Sequence, residues 1–235
     1  MSQASKEPSA IGRAVRAAVA EELTRIGYQP SRTGFLDRIE IFATELTLWG
    51  SKLNLTAASD NPAEVAFHVI DSLAPLILAQ KGARGGLADA FASGMHVLDL
   101  GSGAGFPGLI LAGAIDADFV LLEARRKRAS FLNVTATGMG LTNVRVESSR
   151  TDSITLKPVY DVVTARAFAE PEIVFKTAAV ALKPDGRVLL YASPSQRPAI
   201  EAACVAGIEA PAFHEYEIPR GKTRIAHTLA VARRR

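Results

Sequence analysis

An apolar strand that runs directly into three alternating glycines constrains the fold more than any other part of this chain. The segment is VLDLGSGAGFPG, residues 97–108, with glycines at Gly101, Gly103 and Gly105. Glycine adopts positive φ without strain and lets a ligand approach bare backbone, while Pro107 suits the first turn of a helix. A strand, a glycine turn and a helix in this order predict a ligand site at the carboxyl end of a strand in an open α/β sheet.

Short apolar runs alternate with helical stretches from about residue 95 onwards, which is typical of β-α-β units. Strands are predicted over 95–100, 119–123, 143–147, 160–165 and 186–192, and helices over 107–115, 125–138, 170–182 and 196–206. Two further strand-like runs, AFHEYEIP and RIAHTLAVARR, have no helix between them and are predicted to pair antiparallel at one edge. The sequence therefore predicts an α/β fold with a seven-stranded, mostly parallel sheet.

The part of the chain before the sheet shows helical periodicity only. Apolar residues over 11–26 and 35–49 follow steps of three and four, and Gly27 and Gly50 are placed to end these two helices. We therefore expect a helical N-terminal region.

A third helix is predicted to begin with Asn61 as its N-cap, Pro62 in its first turn and Glu64 as the acid of a capping box. We expect a helical region over 1–90 that packs on a sheet domain over 91–235, with a loose linker at 81–86.

Composition excludes several classes of protein. With 48% hydrophobic and 22% charged residues, the chain can bury a sizeable core and is too apolar to be disordered. The sequence contains no uninterrupted run of ~18 apolar residues, so no membrane span is predicted. The N-terminus does not have the pattern of a signal peptide. We therefore expect a cytoplasmic protein, and we expect it to be a monomer. Because Cys204 is the single cysteine, an internal disulfide is excluded. We expect Cys204 to lie in a helix and to be part of the hydrophobic core. The four histidines lack metal-ligand spacing, so no metal is expected.

Two classes of nucleoside ligand compete for the glycine turn. Gly103, Gly105 and Gly108 form a literal G-x-G-x-x-G, which leaves an NAD(P)-dependent oxidoreductase open. The register of that pattern is poor, because the tight turn begins at Gly101. Asp99 at the strand end resembles instead the acid of class I S-adenosylmethionine-dependent methyltransferases. A carboxylate attracts a cationic sulfonium ligand, whereas it would repel the pyrophosphate of a dinucleotide.

Polar residues after the second, third and fourth strands add further edges to the expected pocket. Glu123 follows the turn by about 20 residues, which is the spacing of an acid that binds ribose hydroxyls; otherwise it is a solvated strand end. Thr151 and Asp152 are candidates for the adenine edge. Arg166 is expected over the reacting end of the cofactor, with Phe168 beside it.

Several segments, in order, resemble the RsmG (GidB) family of bacterial small-subunit ribosomal RNA guanine-N7 methyltransferases over roughly residues 35–195. The matching segments are Trp49 with LNLT at 53–56, HVIDSL at 68–73, DLGSGAGFPG at 99–108, Arg128 with FL at 131–132, SR at 149–150 and RAF at 166–168. The glycine turn alone indicates only the superfamily, whereas the N-L-T and H-x-x-D-S-L motifs make the resemblance specific.

The resemblance implies a class I, Rossmann-like methyltransferase domain behind a small helical region. It implies S-adenosylmethionine as cofactor, S-adenosylhomocysteine as product, and N7 of one guanine in the 530 loop of 16S rRNA as the methyl acceptor. The family's cofactor positions fall on Gly101, Phe106, Thr151, Asp152 and Arg166, with Glu123 at the ribose position where many relatives have aspartate.

The substrate-side candidates have two interpretations each. His68, Asp71 and Ser72 share one helical face, which either contacts RNA or docks the helical region through a His–Asp hydrogen bond. Asn54 either sets a loop conformation or contacts RNA.

Positive charge and aromatic rings supply the remaining RNA candidates. The formal net charge is +3, and Lys127 and Arg128 are expected to contact phosphate. Phe106 or Phe168 either stacks on the target base or belongs to the core. Guanine N7 has an exposed lone pair, so direct transfer needs no general base and no catalytic residue is assigned. A methyltransferase of a small molecule or protein, and a non-enzymatic RNA-binding module, stay open.

Overall fold

Helices and strands alternate through most of the part of the chain that the computed structural model describes, residues 9–83, 87, 91–151, 155–220 and 223–235. The helices are α1 (Ala10–Ile26), α2 (Phe35–Leu53), α3 (Pro62–Ser72), α4 (Ala74–Gln80), α5 (Gly108–Ala114), α6 (Arg126–Gly138), α7 (Pro171–Ala181) and α8 (Arg197–Ala202). The strands are β1 (His96–Leu100), β2 (Asp118–Leu122), β3 (Val144–Glu147), β4 (Tyr160–Arg166), β5 (Leu182–Ala192), β6 (Ala212–Arg220) and β7 (Thr223–Arg233).

The seven strands form one sheet in the order β3-β2-β1-β4-β5-β7-β6. The first five strands are mutually parallel, and β7 pairs antiparallel with both β5 and β6. The predicted α/β class, the mostly parallel sheet and its antiparallel edge are therefore confirmed. The strand order reverses between β1 and β4, and open α/β sheets bind ligands in the crevice at such a point.

Three local expectations are wrong. Helix α2 continues through Gly50 to Leu53, because Asn54 takes the left-handed conformation (φ 47°) that ends the helix. Helix α8 stops at Ala202, before the expected 206, and only Ile200 among its residues is buried. Cys204 therefore lies outside a helix and is exposed, not in the core.

Helix α3 begins as predicted but without a capping box. The Asn61 side chain accepts hydrogen bonds from the amides of Ala63 and Glu64 at 3.0 and 3.4 Å. Both carboxylate oxygens of Glu64 instead accept from the Arg220 guanidinium, each at 2.7 Å. The bidentate pair takes up both oxygens of the acid that would complete the box, and it fixes the β6–β7 hairpin to α3.

The helical region and one face of the sheet share a single hydrophobic core. Val15 of α1, Phe42 of α2, Val69 of α3, Leu121 of β2 and Val231 of β7 all belong to this buried cluster. The division at residues 90 and 91 stays a prediction, and linker residues 84–86 lie outside the described residues.

No single helix in the described ranges is long and apolar enough to cross a membrane. Helices α3 and α4 reach that length and apolar character only when they are taken together, and they are bent by 53° at the break between them. Most of their residues are buried in the fold.

Asp99, at the end of β1, is completely buried. One carboxylate oxygen accepts from the Thr164 hydroxyl on β4 at 2.8 Å, and the other accepts from the Gly108 amide at the start of α5 at 3.2 Å. This carboxylate therefore joins β1, β4 and the helix that follows the glycine turn. Burial raises the pKa of Asp99 above its usual range, against the hydrogen bonds from Ser102, Thr164 and Gly108, which lower it.

We expect Asp99→Asn to change the free energy of unfolding by less than about 1 kcal/mol, because the amide keeps an acceptor without a buried charge. Asp99→Ala should cost about 2–5 kcal/mol, since it leaves two buried donors without an acceptor. Urea unfolding of both variants measures these values.

The pH dependence gives an independent check on Asp99. Because its folded pKa is raised, wild type should lose stability relative to the Asn variant as pH rises through that pKa. Equal pH dependence in the two proteins, or equal losses for Asn and Ala, would contradict this role.

Candidate active site

A cleft of about 420 Å³ lies at the carboxyl ends of four parallel strands. It is lined by Gly101 after β1, residues 122–125 at the end of β2, residues 149–151 after β3, and Phe168 after β4. Its volume falls within the range of roughly 300–1,000 Å³ that is usual for small-molecule sites. The cleft therefore occupies the crevice that the strand order predicts.

The glycine turn folds tightly against β2 and under an aromatic ring. The amides of Gly101 and Ser102 both donate to the Leu122 carbonyl, at 2.9 and 3.1 Å. Gly101 has φ +69°, and a Cβ there would lie 2.5 Å from Cδ2 of Phe168. Glycine is therefore required at position 101 by both its backbone conformation and the ring above it.

Glu123 holds the glycine turn against the start of α6. Glu123 is only 5% exposed. Its two carboxylate oxygens accept hydrogen bonds from the backbone amides of Gly103 at 3.0 Å and Arg125 at 2.8 Å. An ionised carboxylate offers about four acceptor positions, so two remain for further donors. The predicted ribose contact fits this arrangement and stays a prediction.

The other predicted cofactor residues lie at different depths around the cleft. Thr151 lines it, and Asp152 lies outside the described residues. Asp99, Gly105 and Phe106 are buried. Asp99 shapes the turn from behind, with both oxygens already occupied, so its expected contact with a ligand finds no open surface in this structure.

A smaller cleft of about 220 Å³ lies beside the first, and both are lined by Ala167 and Ala169. Arg166, predicted to lie over the cofactor, lines this smaller cleft together with Tyr191 and His227. The segment after β4 is therefore a wall between the two clefts.

Phe106 is packed under this wall from several sides. Its ring contacts Phe42 of α2 and His68 of α3, with centroids 5.1 and 5.3 Å away, and the Arg166 guanidinium lies 4.9 Å from its centroid. At 4% exposure it belongs to the core, whereas Phe168 is half-buried over Gly101. Of the two rings, Phe168 therefore remains the candidate for stacking on a base.

Asp71 joins the helical region to two parts of the sheet. Its carboxylate accepts from Arg166 at 2.9 Å and Tyr216 at 2.7 Å, and Nδ1 of His227 lies 3.2 Å away. Burial alone would raise the pKa of Asp71, but the His227 hydrogen bond and the Arg166 charge lower it below its usual value. Asp71 therefore ties α3 to the sheet, but the expected His68–Asp71 hydrogen bond is not formed, because His227 of the hairpin approaches the carboxylate instead.

His68 and Ser72 also face the protein interior. Ser72 has no exposed surface and donates to the His68 carbonyl at 2.7 Å. Burial, with the Arg166 charge, lowers the pKa of His68 to about 4, so its ring is neutral at pH 7. The burial of Ser72 and of Asp71, which is 2% exposed, leaves almost no surface for the predicted RNA contact.

Tyr216 and His227 are site residues that the sequence analysis missed. They face each other across the β6–β7 hairpin, and only that register brings both to Asp71. No local motif marks them, because their role depends on pairing between distant segments.

Asn54 sets a backbone conformation, as one of its two interpretations predicts. Its positive φ ends α2, and its carbonyl accepts from Arg128 at 3.3 Å. Arg128 also lines the larger cleft, whereas Lys127 is exposed on α6. Within the described ranges, no group of three His, Cys, Asp or Glu side chains could hold a metal ion.

Solved structures of other proteins have a similar fold. A protein of Agrobacterium tumefaciens described as a predicted O-methyltransferase matches with TM-score 0.52 and 18% identity, over 60% of this chain and 74% of that one. TrmN from Thermus thermophilus matches with TM-score 0.51 and 20% identity, over 73% of this chain and 53% of that one. The fold is therefore the Rossmann-like fold of methyltransferases.

Sequence relatives narrow the class to one family. Residues 36–217 match the family model GidB, described as rRNA small subunit methyltransferase G. A protein named Ribosomal RNA small subunit methyltransferase G from Wolinella succinogenes is 36% identical over 66% of this chain and 74% of its own length. The protein of that name from Sorangium cellulosum is 34% identical over 83% of this chain and 79% of its own length. The chain belongs to this family.

We expect Gly101→Ala to weaken binding of S-adenosylhomocysteine by about tenfold or more, because the added methyl group displaces the Phe168 ring. Gly140→Ala is the matched control, since Gly140 has φ +66° and nothing within 4 Å of a Cβ. Both variants should lose about 1–2 kcal/mol of stability from the left-handed backbone. Calorimetric affinities that fall equally in both, or in neither, would contradict the cleft assignment.

Proposed function

We propose that this chain transfers a methyl group from S-adenosylmethionine to N7 of a guanine in the 530 loop of 16S rRNA. Family membership supports an rRNA methyltransferase. The observation that carries the cofactor assignment is the Glu123 carboxylate, which two backbone amides fix beside the glycine turn at the point where the strand order reverses.

The residues around the larger cleft fit each part of this cofactor. Gly101 lines the cleft where the amino-acid end is proposed to bind, and the unused acceptor positions of Glu123 suit the two ribose hydroxyls. Leu122 and Ile173 supply apolar walls, and the backbone of Thr151, which also lines the cleft, is proposed to contact the adenine edge. Asp152 is proposed to accept from the adenine amino group.

The reaction requires positioning more than proton transfer. When bound, S-adenosylmethionine supplies an electrophilic methyl group on a positively charged sulfur. Guanine N7 carries an exposed lone pair and loses no proton before it attacks, so the chain needs no general base. Its residues hold donor and acceptor in line. Among the described residues that line the two clefts, neither His68 nor Cys204 is found, which fits a direct transfer without a covalent intermediate.

RNA contacts are proposed for the surface next to the cleft. Arg125, Arg126 and Lys127 are exposed at the start of α6, where they can contact phosphate. A guanine has to leave its stack to reach a methyl group in the cleft, and Phe168 offers it an aromatic face.

The decisive experiment incubates the protein with labelled S-adenosylmethionine and small ribosomal subunits from cells that lack this gene. We expect one N7-methylguanosine in the 530 loop, found by chemical mapping of the RNA. Glu123→Gln should reduce transfer by about tenfold or more, whereas the same change at exposed Glu172 on α7 should leave it unchanged.

The alternative functions give different outcomes in the same series. Label in a protein or metabolite, or on another nucleotide, would overturn the proposed acceptor. Binding of NADH without S-adenosylhomocysteine would indicate an oxidoreductase, and RNA binding without either ligand a non-enzymatic module.

We expect Lys127→Ala to lower the salt dependence of RNA binding, reducing the slope of log K against log salt by about 0.7–0.9 for one lost phosphate contact. Affinity for S-adenosylhomocysteine should not change, because Lys127 is exposed outside the cleft; Arg128, which lines it, is less suitable for this test. Lys157→Ala is the control, because Lys157 is exposed and lies near the amino end of β4, whereas the cleft is at the carboxyl ends of the strands. Filter-binding titrations with an unaltered slope for Lys127→Ala would contradict its phosphate contact.

A further inference from the structure

The wall between the two clefts carries an arginine that is held from two sides. The Arg166 guanidinium lies over the Phe106 ring at 4.9 Å, and its Nη1 donates to the Asp71 carboxylate at 2.9 Å. The Arg166 side chain is 18% exposed and that of Asp71 only 2%. Since residues 167 and 169 next to it line both clefts, this cation lies at the boundary between them.

The Asp71 carboxylate is built to stay ionised in this position. Tyr216 and His227 from the β6–β7 hairpin supply the further donors that a buried carboxylate needs. His68, which packs on the same Phe106 ring, is neutral at pH 7. The charge of Arg166 is therefore balanced by Asp71, and His68 adds no charge to the pair.

The charge balance at Arg166 affects which ligand the cleft accepts, and this inference rests on the function proposed above. S-adenosylmethionine carries a positive sulfur, whereas S-adenosylhomocysteine does not. An unbalanced arginine in the wall would repel the first ligand and leave the second almost unaffected. We propose that Asp71 is a positioning residue that neutralises Arg166, so that the cleft accepts a cationic sulfonium while Arg166 keeps its hydrogen-bond donors fixed.

The test compares the dissociation constants of the two ligands, measured by calorimetry at low ionic strength, where charge effects are least screened. Asp71→Asn keeps the shape of the side chain but removes its charge. It should raise the ratio of the S-adenosylmethionine Kd to the S-adenosylhomocysteine Kd by about tenfold or more, because the charge of Arg166 is then unbalanced.

Tyr216→Phe is the matched control, because it removes a hydrogen bond to the other oxygen of the Asp71 carboxylate without changing any charge. It should lower stability and leave the ratio of dissociation constants unchanged. A role of Asp71 in structure alone predicts the opposite pattern, in which both variants weaken the two ligands by equal factors.

Arg166→Met is the third variant, and it tests the proposal by itself if Asp71→Asn does not fold. Removing the arginine leaves the Asp71 carboxylate unbalanced, so the ratio should fall below that of wild type. The double variant, Asp71→Asn with Arg166→Met, is neutral again and should return the ratio towards the wild-type value. Ratios that stay equal across all four proteins would overturn the proposal.

Failure of the proposed function has a separate signature. If wild type binds neither ligand, the cofactor assignment itself is wrong. If wild type binds both and neither Asp71→Asn nor Arg166→Met changes their ratio, the cofactor assignment holds and the charge-balancing role of Asp71 is rejected.

Discussion

Burying an ionised carboxylate costs several kcal/mol unless donors surround it, and this constraint organises the candidate site. Asp71, Asp99 and Glu123 are all at most 5% exposed. Each collects donors from separate segments: Asp99 from β4 and the start of α5, Glu123 from the glycine turn and the start of α6, Asp71 from β4 and the β6–β7 hairpin. The segments that form the two clefts are therefore held together by these buried carboxyl groups and the donors around them.

The helical N-terminal region is part of the site for the same reason. Phe42 and His68 support the Phe106 ring from α2 and α3, and Asp71 reaches the arginine above it. The larger cleft is lined by residues that follow the strands, but the position of its wall depends on α3. A sheet domain without these helices would expose the apolar face beneath Phe106 and lose the partner of Arg166.

Local patterns predict the parts of this structure that depend on local chemistry. Apolar alternation gives the strands, and the glycine turn, the Asn61 cap and the antiparallel edge follow from neighbouring residues. The expectations that are wrong concern groups whose partners lie far along the chain. Glu64 binds Arg220, 156 residues away, and does not complete the capping box. Asp71 accepts a hydrogen bond from Tyr216, 145 residues away.

The same distinction explains why the site was only partly predictable. Glu123 was found because the distance from the glycine turn to the next strand end is set by one β-α-β unit. Tyr216 and His227 were missed because the hairpin register and its docking on α3 together decide which side chains meet Asp71. A one-residue shift of that register would turn both side chains to the other face of the sheet.

The distribution of charge separates two kinds of recognition. Inside, the charges of Asp71 and Arg166 are paired, and the Glu123 oxygens are fixed by amides, so a small ligand meets donors and acceptors in set positions. Outside, Arg125, Arg126 and Lys127 are exposed on α6, where attraction to a polyanion is long-ranged and screened by salt. The interior is therefore suited to selecting a ligand by geometry, while the surface raises the local concentration of RNA without specifying its sequence. Exposed lysines and arginines do not distinguish bases through phosphate contacts, so selection of the methylated nucleotide has to come from the shape of the folded RNA.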